Sequence, residues 1–288
     1  MLNSEQLGLT MRVRPGLTAL VATCAVVGLA GCSAARQTTP ARAARVLVYN
    51  IHAGKDAGGV DNLERVAALV DSVKADIVLL QEVDRNTTRS GKVDQPATLA
   101  RLTGFNVAFG KSLDFQGGQY GIAVMSRWPI TADTTVALPI DPPQPRTGSG
   151  GSYEPRAAIR AIIAAPGGPL AIVNTHLDAS ADDRWRRQEI RMVIAIVDSL
   201  RARGIPALAG GDINSTPESE VQAMARAAGL RDAWPTCGSG EGLTYPADSG
   251  TKRIDYLYLT GSAACTSAVV VASRASDHRP VLFIVRDW

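Results

Sequence analysis

The sequence predicts a layered α/β domain, on three observations. Short, nearly continuous apolar runs rich in β-branched residues recur along the chain, as expected of strands covered on both faces. Helical stripes alternate with them in the first part, and strands dominate later, which argues against a bundle or a pure sandwich. Polar side chains stand immediately after several of the apolar runs, at the exit ends of the strands, where layered α/β folds bind ligands.

The elements follow in order. Val46–Tyr49 reads as a strand. Asp61-Asn62-Leu63-Glu64 has the spacing of an acidic N-cap with Glu three residues later, and Leu63, Val66, Ala67, Val70 and Val73 continue it as a helical stripe. Strands are expected at Ile77–Leu80 and Ile122–Met125. The stretch from Asp141 to Pro155 is rich in Pro, Gly and Ser and reads as a surface loop, a lip of any site nearby. Strands follow at Ala157–Ala164 and Leu170–Val173. The stripe Ile190, Val193, Ile194, Val197, Leu200 predicts a second helix, with Gly204 just past its end. Ala207–Ala209 is a further strand and Pro217–Ala228 a third, weaker helix; Ile254–Leu259, Ala268–Val271 and Val281–Val285 complete the strands. No internal repeat has a fixed period.

Composition sets bounds. The chain has 288 residues, 45% hydrophobic, with a formal net charge of +3. That excludes global disorder and lacks the basic excess, a pI above about 9, usual in a dedicated nucleic-acid-binding domain. The densest basic cluster, Arg184-Trp185-Arg186-Arg187, reads first as a solvated helix face. The N-terminus reads as a targeting segment. Arg12 and Arg14 precede the apolar stretch Leu17–Leu29, which is too short to span a bilayer comfortably and ends in Leu29-Ala30-Gly31-Cys32. That ending resembles a bacterial lipobox, which implies cleavage before Cys32 and a lipid on it. Residues 1–31 are then a lipoprotein signal, with Met1 or Met11 as the start, 32–44 a flexible tether, and 45–288 the folded domain. The expected location is extracytoplasmic, in the cell envelope, on a membrane surface through the anchor. Of four cysteines, Cys24 leaves with the signal and Cys32 takes the lipid. Cys237 and Cys265 remain, either as a disulfide, worth about 3 kcal/mol if unstrained, or as two buried thiols.

All three histidines lie in short polar clusters, around Asn50-Ile51-His52, Asn174-Thr175-His176 and Ser276-Asp277-His278. Gln81-Glu82 and Gly211-Asp212-Ile213-Asn214 add carboxylates after apolar runs. Carboxylates, imidazoles and amides together suit a hard divalent cation and a phosphate ester. Buried carboxylates need such a partner, because unpaired charge is costly away from water. Zinc fits poorly, since there is no His-Glu-x-x-His and no paired-cysteine motif. Neither a Gly-rich nucleotide loop nor a Gly-x-Ser-x-Gly elbow is present.

In this order, and with Arg253-x-Asp255-Tyr256, the set resembles the endonuclease/exonuclease/phosphatase superfamily over residues 45–288. The resemblance implies a deoxyribonuclease-I-like four-layer α/β sandwich, two mixed sheets face to face with helices outside. It implies a metal-dependent phosphoric ester hydrolase, with water attacking phosphorus in line. Glu82 would be the principal ligand of Mg²⁺, with Mn²⁺ or Ca²⁺ as alternatives, Asn50 would lie beside the ion, and Asp277 would be a second metal-side carboxylate. His278 would handle the proton, oriented by Asp255. Asp212 would orient or deprotonate the water, and Asn214 would donate to the phosphate oxygens. His176 would face the phosphate, as in the nuclease and phospholipase branches.

Other positions stay open. Arg156, grouped with Asn174 as substrate-binding, either clamps a phosphate, pairs with Glu154, or lies on the surface. His52 is a structural histidine or a substrate contact; Asp178 reads as a loop carboxylate and Tyr120 as structural. Arg85 and Asn86–Gln95 could form a substrate-facing wall, with Asp94 and Gln95 as its polar contacts. The expected partner is a phosphodiester, of a phospholipid or of nucleic acid outside the cytoplasm, met by a monomer. The rival class is a binding lipoprotein that reuses the fold without catalysis.

Overall fold

The computed structural model describes residues 43–143 and 153–288. The expected signal and most of the expected tether, with Cys32, lie outside the described residues, as do residues 144–152 of the Pro/Gly/Ser-rich loop. The tether's expected last two residues, Ala43 and Ala44, already pair in a strand with Arg286 and Val285, so the folded domain begins two residues earlier than the sequence suggests.

Among the described residues, twelve strands make two six-stranded mixed sheets. In the first, β1 (Ala43–Asn50), β2 (Ile77–Arg85), β3 (Asn106–Phe115), β4 (Gly118–Ser126), β11 (Ala264–Val270) and β12 (Val281–Arg286) lie in the order β11-β12-β1-β2-β4-β3. In the second, β5 (Ile130–Ala137), β6 (Ala157–Ala165), β7 (Gly168–His176), β8 (Ala207–Asp212), β9 (Arg231–Asp232) and β10 (Asp255–Leu259) lie in the order β5-β6-β7-β8-β10-β9. The pairs β1–β2 and β7–β8 are parallel. The helices are α1 (Leu63–Ser72), α2 (Gln95–Thr103), α3 (Arg184–Ala202), α4 (Glu220–Ala227) and the short α5 (Trp234–Cys237).

Alternation along the central strands explains the four layers. On β1 and β2, Val46, Val48, Ile77 and Leu79 pack inward against Ile159, Ile172, Leu208 and Leu257 of the other sheet. Their neighbours Leu47, Tyr49, Val78 and Leu80 turn outward onto Val66, Val70 and Leu99 of α1 and α2. On the far side Val173, Ala209, Tyr256 and Tyr258 meet Ile190, Val193, Val197 and Leu200 of α3. Both faces of each central strand are therefore apolar, which is why the runs read as continuous. Cys237 of α5 and Cys265 of β11 form a disulfide.

Several local expectations are corrected. The residue before α1 is Asn62, not Asp61, and its side chain donates to Ala275 O at 2.6 Å instead of capping; Asp61 instead pairs with Lys55 at 2.5 Å. The third helix starts at Glu220 behind the Ser219 cap. Asp94 is no substrate contact: it caps α2 by accepting from Ala97 N at 3.0 Å. Gln95 is buried, accepting from Asp84 N and donating to Ala53 O, and Arg85 stacks over Phe109. The sequence pattern does not mark α2, β3, β5, β9 or the short α5. β5 is largely exposed and polar at a sheet edge, so no apolar pattern marks it.

Candidate active site

The strand register builds the site. In the second sheet β7 and β8 pair His176 with Asp212, and β8 and β10 pair Asp212 with Asp255. One row across the sheet edge thus holds an imidazole and two carboxylates. In the first sheet β1 ends at Asn50 opposite Gln81, and His278 lies just before β12. Glu82 is not at a strand end as expected. It lies inside β2, where the β2–β4 register shifts between Leu80 and Val83, with φ +54. The bulge turns Glu82 out of the pleat and toward the neighbouring strand ends. His52 (φ +48) and Asn214 (φ +51) are left-handed too.

Asp212 Oδ2 is the focus. Asn50 Nδ2 donates to it at 3.0 Å, while His176 Nε2 and His278 Nε2 lie 3.5 and 3.6 Å away. His278 Nδ1 meets Asp255 Oδ2 at 2.9 Å, and its ring packs 4.8 Å from Tyr245. Burial acts to lower the His278 pKa, but the charges of Asp255 and Asp212 outweigh it and push it up. Burial raises Asp212, and the charge of Asp255 adds to the rise. A buried aspartate held above the carboxylate range is a better base than a solvated one. Asp212, Asp255 and His278 offer ligand-type atoms within 4.8 Å of one another, but these groups bond internally and to Asn50, as in a proton relay.

A cation fits better toward the solvent. Glu82, Asp277 and Asp212 line one cavity of about 770 Å³ with His176, Asn214 and His278. Glu82 and Asp277 contribute hard oxygen donors with no thiol among the cavity's lining residues, a set suited to Mg²⁺ or Mn²⁺ with retained waters. Asn50 plays the donor's part: its Oδ1 accepts from His52 N at 3.0 Å, and its Nδ2 faces Glu82 Oε1 at 3.4 Å. His52 is half-exposed, with Nδ1 3.9 Å from Asp277.

Two substrate-binding expectations are corrected. Asn174 donates to Leu80 O and Ala123 O and accepts from Gln81 Nε2 at 2.7 Å, wholly buried. Its amide ties the two sheets together and does not reach the cavity. Arg156 lines the cavity but is buried, with Nη1 2.7 Å from Glu154 Oε1 and 2.9 Å from His176 Nδ1, so of the open alternatives the structure shows the pairing with Glu154. Asn214 donates to Leu177 O at 2.9 Å and lines the cavity. Asp178 accepts from Tyr153 N and from the Ser180 amide and hydroxyl, so it latches a loop. The Arg184–Arg187 cluster is a solvated face only in part: Arg184 is exposed and Arg187 half-buried. Arg186 is buried and donates to Asp178 O and Ser180 O, Arg187 pairs with Glu220 and Asp183, and Arg184 stacks on Trp185. Sequence reasoning missed Tyr245 and Lys252 in the cavity wall; both stand in irregular chain with no periodic signal.

Two expected results arise from this framework. Gly211 has φ +133, and a Cβ there would lie 1.9 Å from Thr175 O, so β7 and β8 approach too closely for any side chain. Gly211→Ala should cost about 3–5 kcal/mol in chemical denaturation; a wild-type midpoint would show that the strands part freely. Glu189, behind the cavity, accepts from Asp178 N at 2.7 Å, and burial raises its pKa to about 8. Folded Glu189 therefore holds a proton that the unfolded chain releases near the ordinary carboxylate range. Its contribution is full below that range and is lost as pH rises toward about 8. Glu189→Gln should flatten that decline in a denaturation series over pH; an unchanged slope would contradict the assignment.

Residues 47–278 match the endonuclease/exonuclease/phosphatase family. The chain is 27% identical over 250 residues to the uncharacterized protein YbhP of Escherichia coli (strain K12), spanning 82% of this chain and 94% of that protein. Its fold is similar to an endonuclease/exonuclease/phosphatase from Beutenbergia cavernae, with TM-score 0.70 and 24% identity over 85% of this chain and 72% of that one. It is similar also to the mannosyl-6-phosphatase Bt3783 of Bacteroides thetaiotaomicron, with TM-score 0.68 and 18% identity over 84% of this chain and 99% of that one.

Proposed function

The chain belongs to the endonuclease/exonuclease/phosphatase family, and from that premise we propose that it hydrolyses a phosphodiester with the help of a divalent cation. The observation that carries the reading is the convergence of Asn50, His176 and His278 on one oxygen of a buried aspartate, Asp212.

Glu82 and Asp277 would hold the cation, with Asn50 beside it. When bound, it neutralises phosphate charge and polarises the ester. Asp212 orients water for in-line attack and receives its proton, for which its raised basicity suits it. Asn50 keeps the Asp212 carboxylate aimed by donating to Oδ2. His278, held by Asp255 on its far nitrogen, presents positive charge to the cavity where phosphate charge accumulates. Asn214 faces the same cavity as a donor to the phosphate oxygens. The rival reading, binding without catalysis, would leave this relay without a purpose.

We place the protein outside the cytoplasm, in the cell envelope, held to a membrane surface through a lipid on Cys32. The Leu29-Ala30-Gly31-Cys32 ending supports this, and so does the Cys237–Cys265 disulfide, which suits an oxidising compartment. The substrate is then a lipid headgroup diester or nucleic acid outside the cytoplasm. The purified chain, supplied with Mg²⁺ or Mn²⁺, should be screened against bis-p-nitrophenyl phosphate, sphingomyelin, inositol phosphates, DNA and RNA. Metal-dependent turnover of a diester is the expected result. No turnover on any of them would overturn the reading, and preference for the monoesters would correct the substrate class.

A further inference from the structure

We propose that Arg156 is a positioning residue that fixes His176 in its Nε2–H tautomer and so aims one ring N–H at Asp212. The inference rests on the hydrolytic reading of the site for its purpose, though not for its geometry.

The argument begins with what a guanidinium can do. Arginine carries donors only and keeps its charge in proteins. Arg156 Nη1 lies 2.9 Å from His176 Nδ1, so that nitrogen must offer its lone pair. A proton on Nδ1 would set two N–H groups head to head, one of them on a cation. The ring therefore carries its single proton on Nε2, which points to Asp212 Oδ2 at 3.5 Å.

Arg156 has little freedom to leave. Glu154 Oε1 lies 2.7 Å from the same Nη1, and both side chains are almost wholly buried, at 2% and 1% exposure. The Tyr120 hydroxyl stands 3.4 Å from that nitrogen as well. Swinging the guanidinium toward a phosphate would strand a buried carboxylate, a change that costs several kcal/mol in general.

His278 has different neighbours: its nitrogens face carboxylates, Asp255 at 2.9 Å and Asp212 at 3.6 Å. His176, held by a cation on Nδ1, supplies one directed N–H, to Asp212 or to a non-bridging phosphate oxygen, and has no second proton to hand to a leaving group.

The test is nuclear magnetic resonance on the ring nitrogens of the full chain labelled at histidine, near neutral pH and without substrate. His176→Gln assigns the signals by their loss. The expected wild-type pattern for His176 is one protonated nitrogen, Nε2, and one bare nitrogen, Nδ1. In the double variant Glu154→Gln/Arg156→Met, which removes both members of the buried charge pair, the ring should shift toward the other tautomer or the doubly protonated form. A protonated Nδ1 in the wild type would overturn the proposal, and so would an unchanged pattern in the double variant. Should that variant fail to fold, the wild-type spectrum decides alone. The spectrum needs no turnover, so its failure is distinct from the failure of the hydrolytic reading, which the substrate screen tests.

Discussion

Replacing His278 with alanine should lower turnover on any phosphodiester the protein hydrolyses by about 10²–10³-fold, the range typical of losing one preorganised group that stabilises developing negative charge. His278 lies between Asp255 and Asp212, so its loss removes the positive charge at the cavity floor and leaves two buried carboxylates facing each other. Asp255 Oδ1 has no hydrogen-bond partner even with the imidazole present. The variant therefore also loses stability, which must be separated from the chemistry. Asp255→Asn provides the control. It keeps the imidazole and removes the charge behind it, and it should lower turnover less than the loss of the ring itself. Turnover at saturating substrate, read beside a thermal melt of each variant, checks both. A His278→Ala protein that melts near the wild type and retains near-normal turnover would sink the relay.

Glu82→Gln should reduce turnover by several orders of magnitude and weaken binding of Mg²⁺ or Mn²⁺ measured by calorimetry. The glutamine keeps the size of the side chain but offers one neutral oxygen where a hard cation prefers charge. The bulge that presents Glu82 is a backbone feature of β2, so the fold should survive. EDTA should abolish the wild-type activity, with Mg²⁺ or Mn²⁺ restoring it. Full activity in excess chelator would remove the cation from the mechanism, whereas unchanged metal affinity in Glu82→Gln would move the cation to other ligands. The calorimetric arm reads the site without any substrate.

The central architecture was legible because the core strands announce themselves. Val46–Tyr49, Leu170–Val173 and Ala207–Ala209 are apolar on both faces, and these strands are buried between two layers. The edge strands β3 and β5 escaped notice because a strand with a solvated face or margin mixes polar residues into its pattern. α2 was lost for a different reason. Its start, Asp94-Gln95, was read as polar contact surface, whereas Asp94 caps the helix and Gln95 is drawn into the interior by Asp84 N and Ala53 O. Asn174 shows the limit at the site itself. Its position near His176 suggested substrate contact; it shares that residue's face of β7, but it stands two residues back from the strand end, deep between the sheets, where Leu80 O, Ala123 O and Gln81 Nε2 take up its amide.

The sequence by itself determined a layered α/β class, the strands that carry the polar clusters, and the residue types able to serve a hard cation and a phosphate. Those follow from periodicity and from the cost of burying charge without a partner, and both are local properties of the chain. Only the tertiary structure decided which atoms meet: that Asp212 Oδ2 is the common target of Asn50 and two imidazoles, and that Arg156 is spent on Glu154 and His176. The physical reason is that hydrogen bonds depend on ångström-scale distance and direction between groups more than a hundred residues apart, such as Asn50 and Asp212. Strand register, the bulge at Glu82 and the close approach at Gly211 set those distances, and none of the three is written in the local pattern.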